Sequence, residues 1–367
     1  MGLLSVNNIS VKIIIAIFLL KNLGCYGNVK VKSEISNSYK NQMESDNNPE
    51  LIWGREIRDP LNDIISLNDT MALVLTHRGK IMVLNINNGK RESSSWTPSG
   101  EKINSISLNR NKKWFAYVSK GNNQVGVYDL KLGKLIWKKE IKNLINNSPV
   151  IINDSTFLIG TRIEFLLFDS FNGEEKKRVH NRLGITKIFP RLNKNLFSIT
   201  DHGELQCLDH NLITLWSKPV GASVESKLKI KDSLVFIGPT KIDSLWALDY
   251  RNGNADHKIY FRNGHEYILH NDTSLITISR SGEVQFANLK EQIFWRKHFD
   301  YGLVNQKSII NNDTILIPFA RGSLIRIDAR TGKQIWSSND MKRSTGIWEA
   351  GKGFIMQDIS FKINYYQ

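Results

Sequence analysis

The sequence predicts an all-β fold: an eight-bladed β-propeller of four-stranded antiparallel blades, closed between its N- and C-terminal strands. Three observations predict it. An Asp or Asn recurs at Asn85, Asp129, Asp169, Asp209, Asp249, Asn288 and Asp328, with successive spacings of 44, 40, 40, 40, 39 and 40 residues. The segments between these anchors alternate apolar and polar residues in short β-branched runs, as at 80–84 and 323–327, which is the periodicity of strands and not of helices. Residues 50–53 (Glu-Leu-Ile-Trp) supply a strand that the C-terminal segment, with runs at 353–357 and 361–365, lacks. Pairing the two completes an eighth blade and leaves no open sheet edge. Seven blades is the alternative count.

The elements follow in chain order. Residues 13–20 form an uncharged apolar run after Lys12. That is too short to cross a bilayer as a helix, which needs about 20 residues, but it has the length of a signal-peptide core. Gly24-Cys25 follows, a small residue before a cysteine as in a lipoprotein signal. Residues 1–24 are therefore expected to be a lipoprotein-type signal cleaved before Cys25, the lipidation site. Asn22 and Lys21 depart from the usual pattern. Residues 25–49 are rich in Asn, Ser, Lys and Glu and read as a flexible tether, because such a composition cannot bury a core. Residues 50–367 form the propeller domain.

Within that domain, four short strands per 40 residues is the unit of a propeller blade. Gly stands six residues before four anchors, at Gly79, Gly203, Gly282 and Gly322. An aromatic end point gives Trp96, Trp137, Trp216, Trp295 and Trp336, with Lys177 and His257 filling two missing places. Asn-Asp-Thr or Asp-Ser turns recur at 68–70, 153–155, 232–233, 271–273 and 312–314. Asn and Asp accept left-handed backbone angles and bond their own backbone, so they suit tight turns. The anchors Asp129, Asp169, Asp209, Asp249 and Asp328 resemble catalytic carboxylates one at a time. Their repetition in every unit assigns them to backbone bonding at strand ends.

The Asp-x-x-x-Gly-Lys-x-x-Trp units at 129–137 and 328–336 resemble the repeats of quinoprotein-like (PQQ-like) propellers. In that family the Trp packs between blades and the Gly makes a tight turn. The length, the Cys25 signal, the tether and the eight-unit array resemble one branch of it, the outer-membrane protein assembly factor BamB family, over residues 50 to the end. The resemblance implies a non-catalytic scaffold of the outer-membrane β-barrel assembly machinery, lipid-anchored on the periplasmic face of the cell outer membrane. It implies as partners the core assembly protein (BamA-type), unfolded outer-membrane proteins and the membrane lipid, with no cofactor. Loops near the middle blades contact the partner in that family. The matching connection here, 182–186, does not reproduce the family's Leu-Arg-Gly-Glu-Ser-like motif, but Arg182 and Leu183 offer its chemistry in a shifted order.

Other chemistries find little support. Only Cys25 and Cys207 are present, so a disulfide framework and a four-Cys zinc site are excluded. A quinoprotein dehydrogenase, the enzymatic alternative, usually has an adjacent-cysteine pair, which is missing. His-Glu-x-x-His, Gly-x-Ser-x-Gly and Walker motifs are missing as well. No metal ligand set is read, and Cys207, in an alternating run, reads as a buried inert thiol. His202 and His210 flank the strand at 204–208 as solvated turn residues. The remaining alternative is a secreted ligand-sensing or adhesive propeller.

The net charge of +15 suits an anionic surface, either nucleic acid or a membrane face, and is also what AT-rich coding produces. Export argues against nucleic acid. The basic clusters Arg110/Lys112/Lys113, Lys134/Lys138/Lys139/Lys142 and Lys176/Lys177/Arg178 are expected to scatter around the rim.

Overall fold

The computed structural model describes residues 49–92 and 102–367, apart from short stretches at 120, 122, 193–194, 232, 242–243, 261–263, 270–273, 289–291, 305, 312 and 339–343. The signal, Cys25, most of the tether and Trp96 lie outside the described residues. The rest forms eight antiparallel sheets, numbered here as blades 1–8 with strands a to d counted outward from the axis. Blade 1 comprises Leu61–Ser66, Met71–Thr76 and Ile81–Asn85, with Arg91 bridged to Leu84 beside them. Blade 2 comprises Ser105–Leu108, Trp114–Ser119, Gln124–Asp129 and Lys134–Glu140. Blade 3 comprises Val150–Ile151, Thr156–Gly160, Glu164–Asp169 and Glu175–His180. Blade 4 comprises Lys187–Leu192, Asn195–Ile199, Glu204–Leu208 and Thr214–Pro219.

Blade 5 comprises Lys227–Lys231, Leu234–Gly238, Ser244–Asp249 and Ala255–Tyr260. Blade 6 comprises Gly264–Leu269, Ser274–Ser279, Glu283–Asn288 and Ile293–His298. Blade 7 comprises Ile309–Asn311, Thr314–Pro318, Leu324–Asp328 and Gln334–Ser338. Blade 8 takes three strands from the C-terminal segment, Ser344–Ala350, Gly353–Asp358 and Lys362–Tyr366, and its outer strand, Leu51–Glu56, from the N-terminal side.

The expected closure is therefore present. Leu51–Glu56 pairs antiparallel with Lys362–Tyr366, Trp53 opposite Tyr365 and Arg55 opposite Ile363. The count is eight. The C-terminal segment contributes one strand more than its two apolar runs led us to expect, the inner strand Ser344–Ala350. Its Ser-Thr-Gly start breaks the apolar alternation that marks the other two. Gln357 locks the seam: its Nε2 donates to the Asp59 carbonyl at 2.9 Å and its Oε1 accepts the Leu61 N–H at 2.7 Å.

The b strands explain how a sequence of short runs builds a core. Trp114–Ser119 and Ser274–Ser279 are buried along their whole length, because successive side chains point into opposite blade interfaces. Leu73 and Leu75 join the cluster between blades 1 and 2, whereas Ala72 and Val74 join the one between blades 8 and 1. Phe157 and Ile159 serve the 2–3 interface and Leu158 the 3–4 interface. Each of the eight interfaces holds one such apolar cluster. The d strands run along the rim and alternate, as in Lys134–Glu140. The antiparallel order places the a–b and c–d turns at one end of the propeller. The b–c turns and the connections between blades lie at the other.

Candidate functional site

The predicted anchors close the third strand of blades 1–7, at the c–d turn, and the Asp anchors bond backbone. Asp129 Oδ1 accepts the Leu132 N–H at 2.7 Å, Asp169 Oδ1 that of Phe171 at 2.9 Å and Asp209 Oδ1 that of Asn211 at 2.8 Å. Asp249 does the same with Arg251 at 2.8 Å and Asp328 with Thr331 at 2.7 Å. These hydrogen bonds hold the Asp169 and Asp328 carboxyls below the usual carboxylate range, the Phe171 N–H leading at Asp169 and the Thr331 hydroxyl at Asp328. At Asp249 the leading cause is the Arg251 guanidinium. The anchors are parts of turns.

The tryptophans dock onto the same turns one blade further on. Trp137 Nε1 donates to the Ser170 carbonyl at 2.8 Å, Trp216 to Tyr250 at 3.0 Å and Trp295 to Ala329 at 3.1 Å. Trp53 on the closing strand donates to Ile86 at 2.5 Å. Trp336 is buried at the 7–8 interface, and its Nε1 has no hydrogen-bond partner.

Arg182 and Leu183 lie on the connection from blade 3 to blade 4, at the b–c end. Asn181 fixes this connection: its Nδ2 donates to Gln206 Oε1 at 2.8 Å, its Oδ1 accepts the Leu183 N–H at 3.1 Å, and its own N–H donates to the Ile163 carbonyl at 2.7 Å. The Ile185 N–H donates to the Arg162 carbonyl at 2.7 Å while the Ile185 side chain enters the 3–4 core. Asp201, on the b–c turn of blade 4, accepts from Thr186 Oγ1 at 2.9 Å and pairs with Arg162 at 3.3 Å. Arg182 and Leu183 are left exposed on a firmly held arch.

Two further residues join this surface that the sequence did not single out, Leu144 and Ile163. The bridge between Ile145 and Thr161, and Asn143 Nδ2 donating to Glu164 Oε2 at 2.6 Å, tie the connection before blade 3 to the turn carrying Ile163. Leu144 is 60%, Ile163 39% and Leu183 38% exposed. One hydrogen-bonded surface thus presents three aliphatic side chains beside Arg162 and Arg182. The sequence signal was one or two apolar residues in each of three polar turns, visible only once the fold aligns them.

A second feature lies on the axis. A cavity of about 790 Å³ is lined by the inner strands of blades 1, 5, 6, 7 and 8 and the segment entering blade 7, among them Asp63, Lys227, Lys229, Glu266, Lys307 and Trp348. Glu266 is 3% exposed, pairs with Lys227 and accepts the Ser308 N–H at 2.8 Å. Burial pushes the Asp63 carboxyl up and the Lys229 ammonium down. Burial and the neighbouring Lys227 lower Lys187 to about 8. Acids and bases alternate around this wall. Among the described residues no group of three or more His, Cys, Asp or Glu is placed to hold a metal ion. Cys207 is a free, buried thiol, as expected.

The sequence profile of the family described as outer membrane protein assembly factor BamB matches residues 178–352. The crystal structure of BamB from Moraxella catarrhalis superposes with a TM-score of 0.69, covering 88% of this chain and 98% of that one at 13% identity. The chain has a BamB-like PQQ-repeat propeller fold. The computationally designed Ika8 protein superposes on this BamB-like propeller equally well (TM-score 0.69, 11% identity, 87% and 99% coverage). The C-terminal WD40 domain of Sif2 superposes nearly as well (TM-score 0.67, 12% identity, 87% and 97% coverage). No curated protein sequence matches the chain. A designed protein and a WD40 domain share the arrangement, so shape alone carries no function for the BamB-like fold.

Proposed function

We propose that this chain is a non-catalytic scaffold of the outer-membrane β-barrel assembly machinery. It is exported by a lipoprotein-type signal, acylated at Cys25 and held at the periplasmic face of the outer membrane. Arg182 and Leu183 bind the core component of that machinery, with Leu144 and Ile163 extending the same surface. The observation that carries this reading is the joined apolar and cationic surface at the b–c end, on a fold and repeat of the BamB type. Aliphatic side chains beside Arg162 and Arg182 on a hydrogen-bonded frame suit a protein partner, since aliphatic burial supplies affinity and Arg supplies directed bonds.

The test is purification of the full-length chain in gentle detergent from its own cell, with mass spectrometry of what is retained. Recovery of the core barrel-assembly protein, lost in the Arg182→Ala/Leu183→Ala variant, supports both family role and site. Recovery that survives the double substitution removes the site. Absence of that protein overturns the scaffold role.

A further inference from the structure

The c–d turns of blades 2, 3 and 4 end in exposed apolar side chains: Leu132 is 64%, Phe171 63% and Ile213 61% exposed. The repeat supplies its own control. The tips of the equivalent turns are Asn87-Asn88 in blade 1, Arg251-Asn252 in blade 5 and Arg330-Thr331 in blade 7. The turn therefore does not require an apolar residue; blades 2 and 3 carry one at the tip, and blade 4 carries Ile213 where those turns have glycine. All three are also held in position. The backbone N–H groups of Leu132, Phe171 and Ile213 donate to the anchor carboxylates Asp129, Asp169 and Asp209 at 2.7, 2.9 and 2.8 Å. Leu215, 54% exposed, continues the patch along the outer strand of blade 4.

Charge surrounds these tips unevenly. Arg110 and Lys113 on the a–b turn of blade 2, with Lys131 on its c–d turn and Lys134 at the start of its outer strand, are exposed and enter no ion pair among the described residues. Lys112, on the same a–b turn, donates to the Leu67 carbonyl. The anchors Asp129, Asp169 and Asp209 are engaged by turn N–H groups, and Asp169 also holds Lys176 at 3.2 Å. Asp154 and Glu174 are the exposed acids among these turns. The basic clusters expected around the rim belong to blades 2 and 3, partly on their outer strands.

We propose that this end of blades 2–4 is a bilayer-docking surface: Leu132, Phe171 and Ile213 enter the interfacial layer while Arg110, Lys113, Lys131 and Lys134 meet anionic headgroups. Short apolar tips bordered by Lys and Arg are the arrangement that binds an anionic lipid surface without spanning it. The long cationic stems reach the headgroups from beside the inserted tips. The closing strand begins at Leu51 at this same end. A single acyl chain anchors only marginally, and a second signal makes attachment stable. The inference rests on the proposed export only for the choice of membrane.

The full chain bearing Cys25→Ser, which removes acylation, tests it by flotation with phosphatidylethanolamine vesicles with and without phosphatidylglycerol. Expected is salt-sensitive binding to the phosphatidylglycerol vesicles alone. It should fall by about tenfold or more in the Leu132→Ser/Phe171→Ser/Ile213→Ser variant and similarly in Lys131→Glu/Lys134→Glu. The melting curve confirms that each variant is folded, and Arg251→Glu/Arg330→Glu at the same end of other blades should bind as the parent does. Absence of binding, or equal binding by the triple variant, overturns the proposal. Neither result touches the partner role, because Arg182 and Leu183 lie at the opposite end.

Discussion

The indole of Trp137 lies flat on Gly173 of the next blade: a Cβ at Gly173 would come within 2.8 Å of its Cδ2, while Nε1 bonds the Ser170 carbonyl. The same pairing joins Trp53 to Gly89, Trp216 to Gly253 and Trp295 to Gly332. Where the docking position holds Lys177 or His257, the receiving turn has Ile213 or Gln292 in place of the glycine. Among these described c–d turns tryptophan and glycine thus vary together, because a turn without a Cβ admits the ring. Docked indoles bind blade 8 to 1, 2 to 3, 4 to 5 and 6 to 7. At the 3–4 interface Lys177 donates instead to Asn211 Oδ1 at 3.3 Å.

Replacing Gly173 by Ala should cost more than its backbone conformation alone explains. Gly173 has φ of 72°, and the left-handed region costs an ordinary residue about 1–2 kcal/mol. The new Cβ also drives the Trp137 ring off its seat, and overpacking adds about 1–3 kcal/mol. Gly221 is the control, with φ of 69° and nothing within 4 Å of a Cβ; Gly221→Ala should show the backbone cost alone. Urea unfolding of both variants decides. Equal losses would mean that the indole contact contributes nothing beyond the turn.

The seam should depend on Gln357, which is fully buried and satisfies one donor and one acceptor of the chain entering blade 1. Gln357→Met keeps the volume and removes both bonds, stranding the Leu61 N–H and the Asp59 carbonyl. A buried polar group left unpaired costs about 1–3 kcal/mol, so the two together predict a loss of about 2–6 kcal/mol. Amide exchange at Leu61 should accelerate along with it. An unchanged Leu61 amide would show that the outer strand pairing alone closes the ring.

Cys207 should resist thiol reagents until the chain unfolds. It lies fully buried in the cluster between blades 4 and 5, and burial pushes its thiol up to about 11. A group with so little thiolate at neutral pH is a poor nucleophile even where reagent reaches it. Labelling should therefore follow the unfolding curve in urea. Rapid labelling in native buffer would place the 4–5 interface in frequent local opening.

The blade count, the closure and the role of the anchors were legible because each is written several times or at both chain ends. A residue repeated every 40 positions reports structure, and the alternation in Leu324–Asp328 needs only a sheet face to satisfy it. The sites were harder to read because their residues are unique and distant in sequence. Leu144, Ile163 and Leu183 belong to three turns that hydrogen bonds bring together, and Leu132, Phe171 and Ile213 are 39 and 42 residues apart. The lysines of the axial wall had a local signal, the Lys-Leu-Lys-Ile-Lys alternation of 227–231. Only the ring shows that this strand faces an axis and not solvent.

Lys187 should make the propeller more stable as alkali is added. Its Nζ donates to the Val224 and Ser226 carbonyls at 2.7 Å each and lies 5.2 Å from the centre of the Phe189 ring, with Lys227 as its charged neighbour. Burial is the larger cause, and Lys227 the smaller, of a folded pKa of about 8 against an ordinary 10.5. Between those values the unfolded chain holds a proton that the folded chain has released. Stability rises with pH wherever the unfolded state binds more protons, so the contribution of Lys187 climbs from about pH 8 toward 10.5. Below pH 8 both states are protonated and the penalty of the buried charge is paid in full. Tyr365, Tyr366 and Cys207 titrate in the opposite sense, so the comparison must be a difference between parent and Lys187→Met. Urea midpoints at pH 7, 8, 9 and 10 should show the parent gaining on the variant at each step above 8. A difference that stays flat across that range would mean that Lys187 is solvated as an ordinary surface lysine.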